Sequence, residues 1–164
     1  QRQMCIRDRF KSSEKNKIIL VLDNIRSLNN VGSAFRTADA FLIEAIYLCG
    51  VTGTPPKPEI EKTALGATET VTWKYFKTTQ QAFEDLKAKN YYIASIEQAK
   101  NSILLNEFKK PTQPLALIFG NEVYGVDQEI INQSDACIEI PQFGTKHSFN
   151  VSVSIGIVLW EMLR

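Results

Sequence analysis

The run Ile18-Ile19-Leu20-Val21-Leu22 is apolar throughout, and Leu115-Ala116-Leu117-Ile118-Phe119 repeats the pattern far along the chain. Such runs are too short for helices, and a strand with apolar side chains on both faces belongs in a parallel sheet covered on both sides. Further strands are read at Glu44 to Cys49, Thr70 to Phe76, Tyr91 to Ile96 and Ala136 to Ile140. Between them, the Ala34, Phe35, Ala38, Phe41 spacing predicts an amphipathic helix over Asn30 to Phe41. Helices are also expected over Thr79 to Lys89, Asp127 to Asn132 and Val151 to Leu163, the last apolar enough to be mostly buried. Strands alternating with helices define an α/β fold with a mostly parallel sheet and helices on both faces. The stretch Gly50 to Pro58 holds two glycines and three prolines and must be a long loop, a place where function is often carried.

With 164 residues, 44% of them hydrophobic and 23% charged, the chain suits one domain with a proper core. Residues 1–16 are polar and without sustained period, which reads as an extension, a short helix or an expression remnant. The domain is placed at 17–164. A formal net charge of +1 neither announces nor excludes a nucleic-acid partner. Cys5, Cys49 and Cys137 are widely spaced and have no neighbour at metal-ligand spacing, so they are expected to be small buried hydrophobes, with no metal bound. No stretch approaches the roughly 18 apolar residues of a membrane helix, and the first residues lack the apolar core of a leader. The expectation is a cytoplasmic chain with no membrane partner.

Three segments carry residues that a plain core would not need. In the first, Asn30 and Gly32 stand where a loop turns into a helix, and Arg36 follows one turn later. Asn29 or Asn30 as an N-cap would explain part of this. Arg36, among Ala34, Phe35 and Ala38, points instead to a partnered guanidinium suited to phosphate or carboxylate. In the second, the Leu115 to Phe119 strand runs into Gly120-Asn121-Glu122-Val123-Tyr124-Gly125. This pattern serves either as a tight turn or as a loop whose backbone amides approach a ligand while Asn121 and Glu122 present side chains. It is neither a P-loop nor a dinucleotide fingerprint. In the third, Ile140-Pro141-Gln142-Phe143-Gly144 leads to Ser148-Phe149-Asn150 ahead of the last helix, with Ser148 open to reading as an N-cap or as a ligand contact. His147 in this loop lacks a nucleophile elbow or a suitably spaced cysteine, and is read as exposed.

Taken together and in this order, the segments resemble the SpoU/TrmH family of RNA 2′-O-methyltransferases, in the SPOUT superfamily. Asn30, Gly32 and Arg36 match its Asn-x-Gly-x-x-x-Arg motif. Gly120, Glu122 and Gly125 match Gly-x-Glu-x-x-Gly after a strand. Ile140, Pro141, Gly144, Ser148, Asn150, Val151 and Ser152 match the third. Phe149 stands where the family usually has Leu, and Ser154 where Ala is common. The likeness covers Lys17 to Arg164.

The resemblance implies a C-terminal trefoil knot, S-adenosylmethionine bound within it, and a homodimer with its active sites at the subunit interface. It also implies methyl transfer to a ribose 2′-hydroxyl of tRNA or rRNA. Gly120, Ile140 and Phe149 would line the cofactor site, with Ser95 bordering it. Arg36, Asn30, Glu122, Ser148 and Asn150 would carry the reaction, Arg36 as base or as a cationic stabiliser of the developing alkoxide. Arg26, Lys57 and Lys62 are candidates for docking RNA. The rival readings are a non-catalytic RNA-binding knot domain and a generic nucleotide-binding α/β domain.

Overall fold

The computed structural model describes residues 6, 8–10 and 12–164. Seven strands form one sheet: β1 (Asn16–Asp23), β2 (Ile43–Cys49), β3 (Trp73–Phe76), β4 (Tyr92–Ile96), β5 (Ile103–Leu104), β6 (Leu115–Phe119) and β7 (Ala136–Glu139). Their spatial order is β3-β2-β1-β6-β4-β7-β5. Every pairing is parallel; in the centre, Leu20 of β1 lies between Ile46 of β2 and Leu117 of β6. From residue 16 onward the α-helices are α1 (Leu28–Ala40), α2 (Pro58–Ala64), α3 (Thr79–Ala88), α4 (Gln128–Gln133) and α5 (Val151–Leu163).

The period of two along the strands sorts the core into two layers. Ile18, Leu20, Leu22, Leu115, Leu117 and Phe119 face α1, α2 and α5. Ile19, Val21, Ala116 and Ile118 face Ala82, Phe83 and Leu86 of α3 and Ile130 of α4. From β1 the chain steps outward through β2 to β3, then returns to the far side, where β6 enters between β1 and β4. Beside this reversal of direction a crevice opens at the carboxyl ends of β4, β6 and β7, the edge where open α/β sheets take ligands.

Several local readings are revised. The N-cap of α1 is Ser27, whose hydroxyl accepts from Asn30 N–H at 3.2 Å, so neither Asn29 nor Asn30 caps that helix. The run from Thr70 pairs only from Trp73. Before it, Ala67–Glu69 form a 3-10 turn, and the Thr70 hydroxyl donates to Asp39 at 2.6 Å. The two-residue strand β5 is too short to leave a periodic signal. Residues 8–10 are helical, and Phe10 packs on the core, so part of the segment set aside as an extension is docked.

Cys49 is buried in β2, and burial pushes its thiol up to about 12. Cys137 donates to the Glu97 carbonyl at 3.3 Å; Cys5 lies outside the described residues.

Gly32 belongs to helix packing. A Cβ there would stand 2.0 Å from Thr63 Oγ1 and 2.2 Å from the Ile60 carbonyl oxygen in α2, and the backbone oxygen has nowhere to go. Gly32→Ala is therefore expected to destabilise the fold by about 1–3 kcal/mol through overpacking. Urea unfolding checks this, and an unchanged midpoint would contradict it.

Candidate active site

Parallel strands end by presenting backbone groups that the next loop must satisfy. At the end of β1, the Asn24 side chain receives Val51 N–H on Oδ1 at 3.0 Å and donates to Asp23 at 3.0 Å. Asp23 is buried and also accepts from the Thr79 hydroxyl at 2.6 Å and from Asp127 N–H at 3.3 Å. One carboxylate thus joins β1 to the starts of α3 and α4. Asp127 in turn caps α4, accepting from Glu129 N–H at 2.8 Å.

After β6 the chain turns back sharply. Asn121 and Gly125 exchange backbone hydrogen bonds of 3.1 and 2.9 Å, while Asn121 Oδ1 accepts from Val123 and Tyr124 N–H at 2.8 and 3.0 Å. The Asn121 side-chain amide donates to the Asn24 carbonyl at 2.7 Å. Gly120 permits this approach, because a Cβ there would lie 2.2 Å from the Gly125 carbonyl carbon. Gly125 has φ +71°, the left-handed region that favours glycine, and a Cβ on it would meet Glu97 Oε2 at 2.1 Å. Glu97 holds the loop from the other side, accepting from Val126 N–H at 3.1 Å and Gln98 N–H at 2.9 Å. Glu122 reaches across to accept from Arg26 and Ser27 N–H at 3.2 and 3.1 Å.

The third loop follows β7 and ends at Asn150. Asn150, not Ser148, caps α5, its Oδ1 accepting from Ser152 and Val153 N–H at 2.9 and 3.4 Å. Its amide donates to Asn30 Oδ1 at 3.3 Å, joining the third segment to the first.

The loops enclose a cleft of about 660 Å³ lined by Gly120, Glu122, Ile140, Ser148, Phe149 and Asn150 among others. That is an ordinary size for a small-molecule site. Six of the nine expected site residues therefore share one cavity. Asn30 touches it only through Asn150. Ser95 does not line it: the residue is fully buried, its hydroxyl 2.7 Å from Ser134 Oγ, and Ile96 and Glu97 border the cleft at the end of β4 instead.

Arg36 lies elsewhere. Ala34, Phe35 and Ala38 are buried while Arg36 is exposed, so it is on the outer side of α1. There it lines a second concavity of about 540 Å³ with Phe41, Gly156, Ile157 and Trp160. Among the described residues it has no hydrogen-bond or ion-pair partner, and Glu122 is committed to backbone amides. His147 is exposed and lines the cleft. Asp23, Asn24 and Glu97 were not singled out from sequence; a carboxylate or amide just past an apolar run gives no spacing signal.

A parallel α/β sheet with a cleft built by three loops at its carboxyl edge defines a ligand-binding α/β enzyme fold. The chain belongs to the SpoU rRNA Methylase family, matching it over residues 17–160. It is 33% identical over 155 residues to an uncharacterized tRNA/rRNA methyltransferase of Borreliella burgdorferi, covering 94% of this chain and 67% of that one. It is 30% identical to the tRNA (guanosine(18)-2′-O)-methyltransferase of Aquifex aeolicus, covering 97% and 74%. The solved AdoMet-bound rRNA methyltransferase from Sinorhizobium meliloti superposes with a TM-score of 0.84 at 25% identity, covering 96% of this chain and 59% of that one. The chain thus spans 59% to 74% of the length of these relatives.

Glu97→Ala is expected to leave the buried Val126 N–H without its acceptor, costing about 1–3 kcal/mol. Amide exchange at Val126, followed by NMR, should accelerate. An unchanged exchange rate would show that Glu97 does not hold the loop.

Proposed function

We propose that this chain is the catalytic domain, at 17–164, of an S-adenosylmethionine-dependent RNA ribose 2′-O-methyltransferase that acts on tRNA or rRNA as a homodimer in the cytoplasm. The observation that carries the reading is the convergence of Gly120, Glu122, Ile140, Ser148, Phe149 and Asn150, from two distant segments, on one cleft at the sheet's carboxyl edge. Family membership and the AdoMet-bound relative support the cofactor. Among the described residues, no helix is long and apolar enough to cross a membrane. The C-terminal part is read as the family's trefoil knot, with the loops after β6 and β7 facing one cavity.

S-adenosylmethionine would supply the methyl group from its sulfonium, the ribose 2′-oxygen taking that carbon as the sulfur–carbon bond breaks to leave S-adenosylhomocysteine, with the hydroxyl proton passing to water at the open side of the cleft. The backbone at Gly120, with Ile140 and Phe149, forms the walls that hold the cofactor. Ser95 stands back from that wall, its hydroxyl bonded to Ser134, and makes no contact with the cleft. Glu122 holds the loop before α1 by its two backbone amides, and so shapes the entrance for the ribose. The Ser148 hydroxyl makes no hydrogen bond among the described residues and is available to the substrate. Asn150 and Asn30 orient each other and the ribose. Arg26, Lys57 and Lys62, all exposed, face RNA phosphates.

Arg36 is assigned the role of stabilising the developing alkoxide through the hydrogen-bond donors of its guanidinium. It lines no part of its own chain's cleft, so the reading assigns it to the partner's. The face that carries it is apolar, with Trp160 on α5 at 64% exposure beside Ile157. Pairing two such faces about a two-fold axis covers them and shares residues between the two sites.

Incubation with labelled S-adenosylmethionine and total RNA should yield alkali-resistant dinucleotides, because a 2′-O-methyl group blocks base cleavage. RNA binding without methyl transfer would favour the non-catalytic reading. Arg36→Ala is expected to lower transfer on the order of a hundredfold with cofactor affinity nearly intact. Mixed with Ser148→Ala, it should regain about a quarter of wild-type activity, as heterodimers rebuild one whole site. Absence of any recovery would contradict the shared site.

A further inference from the structure

Five aromatic side chains are exposed among the described residues: Tyr75, Tyr124, Phe143, Phe149 and Trp160. Three of them, Tyr124, Phe143 and Phe149, belong to the two loops that bound the cleft. Phe149 lines its wall. Tyr124, at 81% exposure, lines it from the tip of the Gly120–Gly125 loop, and Phe143, at 96%, stands between the lining residues Gln142 and His147 on the other side. Neither Tyr124 nor Phe143 has an aromatic or cationic partner among the described residues. Exposing an aromatic ring without packing carries a cost in water, and here two such rings stand on the two loops that bound one cavity, Tyr124 in its lining and Phe143 next to the lining residue Gln142.

Tyr124 is held in place. Its N–H donates to Asn121 Oδ1 at 3.0 Å inside a turn closed by two backbone hydrogen bonds, so the backbone position from which the ring projects is fixed. Lys146 and His147 follow Phe143 along the rim and are exposed. The two carboxylates of the cleft are each engaged by two backbone N–H groups, which offsets their charge toward an anionic ligand.

Resting on the RNA methyltransferase reading, we propose that Tyr124 and Phe143 form an aromatic rim on which unpaired bases next to the target ribose stack. Isolated rings interleaved with Lys146, His147 and Gln142 suit bases joined by phosphates, whereas a second copy of this chain is better served by the continuous apolar face at Trp160. Stacking requires bases free of a duplex, so the substrate presents its ribose in a loop, bulge or single strand. Every base has a π-face, so the rim selects for unpaired structure more than for sequence.

The test is fluorescence anisotropy with a short labelled single-stranded oligoribonucleotide and the same sequence as a duplex, alongside methyl transfer to total RNA. Tyr124→Ala and Phe143→Ala are each expected to weaken single-strand binding about tenfold and to raise KM for RNA similarly, with duplex binding little changed. Tyr124→Phe and Phe143→Trp should retain binding, and Phe143→Ala should keep wild-type affinity for S-adenosylhomocysteine. Single-strand affinity unchanged in both alanine variants would overturn the rim, as would a fall in molar mass by light scattering, which would mark a protein interface instead. Wild-type transfer with indifferent rings refutes only the rim. Ring-dependent RNA binding without any transfer refutes only the enzymatic reading.

Discussion

The turn after β6 folds back so tightly that Gly120 and Gly125 leave no room for a Cβ at either position, and the rest of the site depends on that closure. A turn of this kind leaves backbone donors facing inward, and the protein satisfies them with side chains from other elements. Glu97 reaches it from the end of β4 and Asn121 ties it to the end of β1, while Asp23 secures the residue that starts α4. Each is a polar group accepting or donating where an unpaired partner would cost about 1–3 kcal/mol. The carboxyl ends of three neighbouring strands are thereby locked to one another before any ligand arrives.

That locking accounts for a cleft already shaped in the protein alone. It also explains the division of labour among the family's polar residues. Glu122 and Asn150 spend hydrogen-bonding capacity on backbone amides of α1's entry and α5's first turn. Ser148 keeps its hydroxyl free. Arg36, on the outer face of α1, is separated from the cleft of its own chain, so the proposed chemistry requires assembly. An enzyme built this way would couple activity to association through geometry alone.

Much of the fold was legible because continuous apolar runs such as Ile18 to Leu22 admit few arrangements other than a central parallel strand. The three motif loops were legible because glycine, proline and asparagine cluster there without serving a core. What sequence did not disclose was partnership across distance. Ser95 reads as a strand-end hydroxyl, yet its register buries it against Ser134. Arg36 reads as a polar intrusion on an apolar helix face, but the 3.6-residue period turns it outward while Ala34, Phe35 and Ala38 turn in. Ser27, rather than the neighbouring asparagines, caps α1, since the helix begins at Leu28, two residues earlier than its apolar spacing suggests. Glu97 had no signal at all, because its partners lie on another loop, at Val126, and in its own neighbour Gln98.

The central claim is that the loops after β6 and β7 together hold the cofactor. Hydrogen–deuterium exchange with and without S-adenosylhomocysteine tests it directly. Protection is expected at the amides of residues 119–127 and 140–151, and little change on the outer face of α1. Protection centred instead on the concavity between Arg36 and Trp160, with the two loops unaffected, would contradict it.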